Sequence, residues 1–206
     1  MQDRDSTMPP ARPPALGRRR LLRLAAGAAA IVVAGAGIAP VRAQVQLFQP
    51  PEIVRVARQG DVEGMRALLV GGARPDFGLG ENGETPLLVA SAAGNLAMAR
   101  LLLDYGANPN RSDNNGNTSV HVSARDGRED VLRLLLDRNG NIDAVNRQGE
   151  TALMMAVRAQ WPRIVTLLLE AGADLNRIDY TGRSALDWAE GNRNRQIVDI
   201  LRRAGA

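Results

Sequence analysis

The stretch NGNTSVHVSARDGREDVLRLLLDRNG, residues 115–140, holds in sequence nearly every part that the C-terminal three quarters of the chain repeats. Asn115-Gly116 opens it and Thr118 follows two positions after the glycine. A short run of small and apolar residues leads to Gly127, then to Leu134-Leu135-Leu136, and Asn139 closes the unit. Outward in both directions the same parts return at intervals of 33 residues. Thr85-Pro86-Leu87, Thr118-Ser119-Val120, Thr151-Ala152-Leu153 and Ser184-Ala185-Leu186 share one phase, as do Gly83, Gly116, Gly149 and Gly182. The apolar triplets Leu101-Leu102-Leu103, Leu134-Leu135-Leu136 and Leu167-Leu168-Leu169 keep it too, ending in Ile200-Leu201, and Gly106, Asn139, Gly172 and Gly205 punctuate each unit.

Each part has a physical reading. Asn82-Gly83, Asn115-Gly116, Gln148-Gly149 and Thr181-Gly182 supply turn residues, the glycine accepting the positive φ that tight turns demand. The hydroxyl two positions on caps the free N–H groups of a helix start, and Pro86 stands where a missing donor does no harm. The small residues Ala90 to Ala93 predict a short helix that permits close stacking, and the leucines predict a second helix ended by a left-handed cap. One such unit cannot bury its apolar face alone, so the period predicts a stack of units with a continuous core, an all-α repeat solenoid.

These markers resemble the ankyrin repeat. Gly106-Ala107-Asn108-Pro109-Asn110 and Gly172-Ala173-Asp174-Leu175-Asn176 look like the Gly-Ala-Asp-x-Asn ending of that family, and Asp113, Asn146 and Asp179 occupy its opening acidic or amide position, where Gly80 departs. The resemblance covers residues 52–206 as units of about 52–80, 81–112, 113–145, 146–178 and 179–206, preceded by a linker over 44–51. The first unit is a cap lacking the threonine turn, three are complete, and the last is cut short. A slightly curved right-handed solenoid is implied, with turn tips projecting at right angles to the helices.

His121, the one histidine in the chain, lies near Ser119, Ser123 and Asp126 and invites a triad. The repeat argues otherwise, because a triad needs a base aimed at a nucleophile and oriented by an acid, whereas these residues stand at repeat positions. His121 matches the histidine of the family's Thr-Pro-Leu-His motif, which implies a strut with Thr118 as partner; Leu88, Met154 and Asp187 take its place elsewhere. Trp188 reads as core of a first helix. Trp161 follows Gln160, which stands where Gly94 and Gly127 stand, and reads as packing over a loop that lost its glycine. Glu129-Asp130 with Arg133 reads as a solvated helix face. No cysteine or lysine occurs, which excludes thiol and Schiff-base chemistry, and one histidine without cysteines offers no zinc set. No phosphate-cradling loop and no converging carboxylates stand out. The expected protein is not an enzyme, and no cofactor or metal is expected.

Residues 1–43 have a different composition. Residues 1–17 are proline-rich and read as a disordered extension, with Met8 as a second candidate start. Residues 18–23 are basic, 24–39 are apolar, and Val41-Arg42-Ala43 suits a signal peptidase cutting between Ala43 and Gln44. Arg18-Arg19-Arg20-Leu21-Leu22-Arg23 resembles a twin-arginine export signal, which implies a bacterial protein delivered to the periplasm. The alternative is an uncleaved inner-membrane anchor, for which the glycine-interrupted apolar run is short. The seven arginines here against two aspartates account for the basic balance: the net of +4 leaves residues 44–206 at −1. That near-neutral body argues against nucleic acid as a partner, and after cleavage no membrane contact is expected.

Ankyrin modules bind proteins through their turn tips and the exposed edge of the first helix. Carried over residue by residue, the resemblance implies a binding strip of Asn82, Glu84 and Tyr105 in the second unit. Asn115, Asn117, Arg125, Asp126 and Arg138 follow in the third, Arg147, Gln148, Glu150 and Arg158 in the fourth, and Tyr180 and Arg183 in the fifth. The expected function is a non-enzymatic protein-binding module of the bacterial envelope, a monomer facing another protein. An immunity or inhibitor protein against a toxin or enzyme is the alternative, and a hydrolase a more distant one.

Overall fold

The computed structural model describes residues 50–77 and 82–205, so the export leader, the Ala43–Gln44 cleavage site and the connection around Glu81 lie outside the described residues. The described residues form ten helices and no strands. They come in pairs: α1 (Pro50–Gln59) with α2 (Val62–Val70), α3 (Pro86–Ala93) with α4 (Leu96–Asp104), α5 (Ser119–Arg125) with α6 (Glu129–Asp137), α7 (Ala152–Arg158) with α8 (Pro162–Glu170), and α9 (Ala185–Gly191) with α10 (Arg195–Ala204). First helices pack on first helices and second helices on second helices, giving two layers of an all-α repeat solenoid.

The local chemistry explains each pair. Thr85, Thr151 and Ser184 sit at the N-caps of α3, α7 and α9 in extended conformation, and their hydroxyls accept from the N–H of Leu88, Met154 and Asp187. Pro86 occupies the first turn of α3, where its missing donor leaves nothing unsatisfied. After each second helix the chain turns back with a bond spanning five residues: Ala73 N–H to Leu68, Ala107 to Leu102, Gly140 to Leu135 and Ala173 to Leu168, at 2.8–3.0 Å. The residue before each of the donors Ala73, Ala107, Gly140 and Ala173 has positive φ, and in the third unit it is Asn139 rather than glycine.

Packing follows the same register. Ala90, Ser123, Ala156 and Ala189, equivalent positions of the first helices, are fully buried; larger residues there would push the helices apart. Leu102, Leu135, Leu168 and Leu201 form a second buried row along the second helices. Buried Ala57 and Leu68 extend these rows into α1 and α2, and the core is one continuous cluster.

The tips between pairs form a ladder. In each hairpin an Asx residue accepts backbone N–H groups: Asp113 from Asn115 and Asn117, Asn146 from Gln148 and Glu150, Asp179 from Thr181 and Arg183. Successive tips are then tied by Asn114 N–H to Asn82 O, Arg147 N–H to Asn115 O and Tyr180 N–H to Gln148 O, at 2.9–3.0 Å. Gly149 shows why glycine is needed here. Its φ is +78°, and a Cβ would come within 2.6 Å of the Tyr180 ring that lies over it.

Candidate protein-binding surface

The tip ladder and the C-terminal ends of the first helices present one strip per unit. At the tips, Asn82, Asn115, Arg147, Gln148 and Tyr180 are exposed, Tyr180 at 76%. At the helix edge, Arg58, Ala92, Arg125, Arg158 and Gly191 are equivalent positions, so the guanidinium groups of the first, third and fourth units share one row. Arg58 reaches across to Glu84 of the next unit at 2.9 Å, while Arg125 pairs bidentately with its neighbour Asp126 at 2.8 and 2.9 Å. That pairing, foremost through the hydrogen bond to Asp126, raises the Arg125 pKa further.

Two residues expected on this strip are not available on it. Asn117 and Glu150 are each 6% exposed. Asn146 donates from Nδ2 to Asn117 Oδ1 at 3.1 Å and to Glu150 Oε2 at 3.2 Å, and the other oxygen of Glu150 receives Arg158. A buried carboxylate and two buried amides each need partners, and they find them in one another. Asn117 and Glu150 therefore hold the tips to the first helices. Tyr105 and Arg138 are displaced differently: they are the C-cap residues of α4 and α6, which puts them in the second-helix row, and Arg138 turns back to Asp104 at 2.8 Å. The remaining expected residues, Asn82, Glu84, Asn115, Arg125, Asp126, Arg147, Gln148, Arg158, Tyr180 and Arg183, do lie at the tips or the first-helix edge.

Trp188 does more than the core packing that its repeat position predicts. It is half-buried, and its indole N–H donates to Asp179 Oδ2 at 2.8 Å, while Arg158 Cζ and Arg183 Cζ stand 4.8 and 4.7 Å from its ring. Burial works against an ionised Asp179, but bonds from the Thr181 hydroxyl, the Arg183 amide, the Trp188 indole and the Thr181 amide outweigh it and bring its pKa down to about 2. The signal for this arrangement was present in sequence as an aromatic at a position that holds Val89, Val122 and Met155 in other units, but its partners are visible only in three dimensions.

His121 is fully buried, between units rather than in a cleft. Its Nδ1 accepts from the Thr118 N–H at 3.2 Å with the Thr118 hydroxyl at 2.9 Å, and its Nε2 lies 3.1 Å from the carbonyl oxygen of Glu150 in the next unit. A carbonyl only accepts, so Nε2 carries the proton and the ring is neutral. Ser123 Oγ donates to the Ser119 carbonyl at 2.8 Å, so both ring nitrogens of His121 are engaged elsewhere than with the serines. Among the described residues no group of His, Cys, Asp or Glu has the arrangement of a metal site.

Comparison with known proteins agrees with this geometry. A family model for ankyrin repeats, in three copies, matches residues 53–146 and 139–206. The chain belongs to the ankyrin-repeat family. Over 57 residues it is 46% identical to the ARF GTPase-activating protein GIT2 of mouse, of human and of rat. That stretch is 28% of this chain and 8% of each relative, so the chain spans a small part of the length of the curated relatives it matches. The ankyrin repeats here mark a protein–protein interaction module, and the tip ladder and first-helix edge carry side chains that differ from unit to unit.

Proposed function

We propose that this ankyrin-repeat protein is an exported, non-catalytic binding module of the bacterial envelope that captures a folded protein on the strip of hairpin tips and first-helix edges. The observation that carries the reading is the contrast between the two parts of each unit. Caps, turn glycines and leucine rows are nearly invariant from unit to unit, whereas the strip varies: Asn114, Arg147 and Tyr180 at one tip position, Ala92, Arg125 and Arg158 at one helix position. Arginine and tyrosine are the residue types that dominate interface energetics. The leader over residues 1–43, with its paired arginines and Val41-Arg42-Ala43, supports delivery to the periplasm with a mature chain starting at Gln44. Within this role the partner is a co-exported enzyme to be regulated or a toxin to be neutralised.

The test uses the chain as bait in an extract of the producing cell's envelope. Capture of a defined protein that is lost when Arg125, Arg147 and Arg183 are reversed to Glu, with thermal unfolding unchanged, supports the reading. Arg158 is left out because its reversal would place a like charge against buried Glu150. Equal capture by the reversed variant, or a cytoplasmic chain that retains residues 1–43, contradicts it.

A further inference from the structure

The C-terminal half of the strip is built differently from the rest. Guanidinium groups elsewhere on it are matched by half-buried carboxylates at the surface, Arg58 by Glu84 and Arg125 by Asp126. In the last two units the nearby acids are already committed: Glu150 is buried between Asn146 and one nitrogen of Arg158, Asp179 against its own hairpin and Trp188, and Asp187 against the N–H and hydroxyl of Ser184 at 2.7 Å. Arg183 is exposed and has no ion pair among the described residues, and Arg158 keeps all but one of its nitrogens free of hydrogen bonds. Both are held beside the Trp188 ring.

A guanidinium resting on an aromatic ring loses part of its rotamer freedom while its N–H groups remain available at the edge. Such preorganisation raises the affinity for a planar acceptor by lowering the ordering cost of binding. We infer that Arg158 and Arg183, supported by Trp188, form a carboxylate-binding subsite, and that the partner presents an acidic segment to the fourth and fifth units, flanked by Arg147 and Tyr180 at the tips. This rests on the binding role proposed above and names the chemistry of its partner. Phosphates of a nucleic acid would offer similar acceptors. An acidic protein is favoured because residues 44–206 carry a net charge of −1 and no lysine, which leaves no extended basic track for a phosphate backbone.

The test is calorimetric titration of the full chain at low ionic strength with deca-glutamate, deca-glutamine and a thymidine decamer. NMR of the Trp188 indole N–H, the group bonded to Asp179, is followed in parallel. Deca-glutamate should bind and shift that signal, deca-glutamine should not, and Arg183→Gln should weaken binding about tenfold or more. The Arg183 guanidinium makes no hydrogen bond among the described residues, so this variant leaves the Glu150–Arg158 pair and the fold in place. Arg183→Lys keeps the charge but not the stacked plane and should recover only part of the loss. Binding of deca-glutamate unchanged by Arg183→Gln, no binding at all, or tighter binding of the thymidine decamer overturns the subsite. Envelope capture that ignores Arg183 but needs Arg125 and Arg147 would remove the subsite and leave the module's function standing. Deca-glutamate binding without any captured protein would do the reverse.

Discussion

The indole N–H of Trp161 donates to the main-chain carbonyl of Arg125, 3.0 Å away, and its ring covers Gly127 of the preceding unit, where a Cβ would come within 2.7 Å of it. One unit earlier Arg128 does the same work: its Nε donates to the Ala92 carbonyl at 3.0 Å and its side chain covers Gly94. Two chemically unlike residues thus form the same staple between units, a flat donor group laid over an inter-helix glycine.

If that is its role, Trp161→Arg should keep most of the stability and Trp161→Ala should lose about 1–3 kcal/mol, the range for a hydrogen-bonded, partly buried side chain. Chemical denaturation of the two variants separates them; equal losses would mean that the staple contributes nothing beyond apolar cover.

His121 predicts an acid sensitivity. Burial is the main cause of its lowered pKa, only partly offset by its bond to the Glu150 carbonyl, so the folded state disfavours the proton that the unfolded chain binds near the usual 6.5. Below that value the unfolded state takes up more protons than the folded state, and stability falls as pH falls. Urea titrations at pH 7.5 and 5.0 should show the decline, and His121→Gln should reduce it. A decline of the same size in His121→Gln would assign it to other groups.

Asp179 acts in the same sense at lower pH. With its pKa held at about 2 against 3.8, it contributes stability present above 3.8 and lost as pH falls toward 2. Asp179→Asn keeps an acceptor for the Thr181 and Arg183 amides, as Asn146 does one unit earlier. Its amide nitrogen would then face the Trp188 N–H, and a cost of about 1–3 kcal/mol is expected in thermal or chemical unfolding. Unchanged stability would show that the indole bond is dispensable.

The inter-helix loops predict gains. Gln160 and Arg193 have φ of +60° and +56° at the positions where Gly60, Gly94 and Gly127 stand. A side chain in this region costs about 1–2 kcal/mol, and glycine recovers it less its larger unfolded-state entropy. Gln160→Gly and Arg193→Gly should each stabilise by about 0.5–1 kcal/mol in denaturant unfolding; destabilisation by both would show that their side chains hold the loops by contacts.

Residues such as Thr151 and Gly149 were legible in the sequence because turn and cap chemistry is local: a hydroxyl two positions after a turn glycine needs no distant partner to be understood. Leu135 and Ala156 were legible because the period assigns every unit the same inward face. Asn117 and Glu150 were not, since a polar side chain beside a turn reads as exposed until Asn146, 29 residues beyond Asn117, is seen to bridge the two. Tyr105 and Arg138 were misplaced because the end of a second helix and the following tip are close in sequence but belong to different rows. Trp188 looked like core because its equivalents are aliphatic, and only the fold brings Arg158 and Asp179 to it.

The central claim is that partner binding falls on the tips and first-helix edges. Hydrogen exchange of the captured complex against the free chain tests it most directly. Protection gained at residues 113–118, 146–151 and 179–184 and at the ends of α5 and α7, with α4, α6, α8 and α10 unchanged, is the predicted result. Protection confined to the second-helix layer, with the tips exchanging as in the free chain, would contradict it.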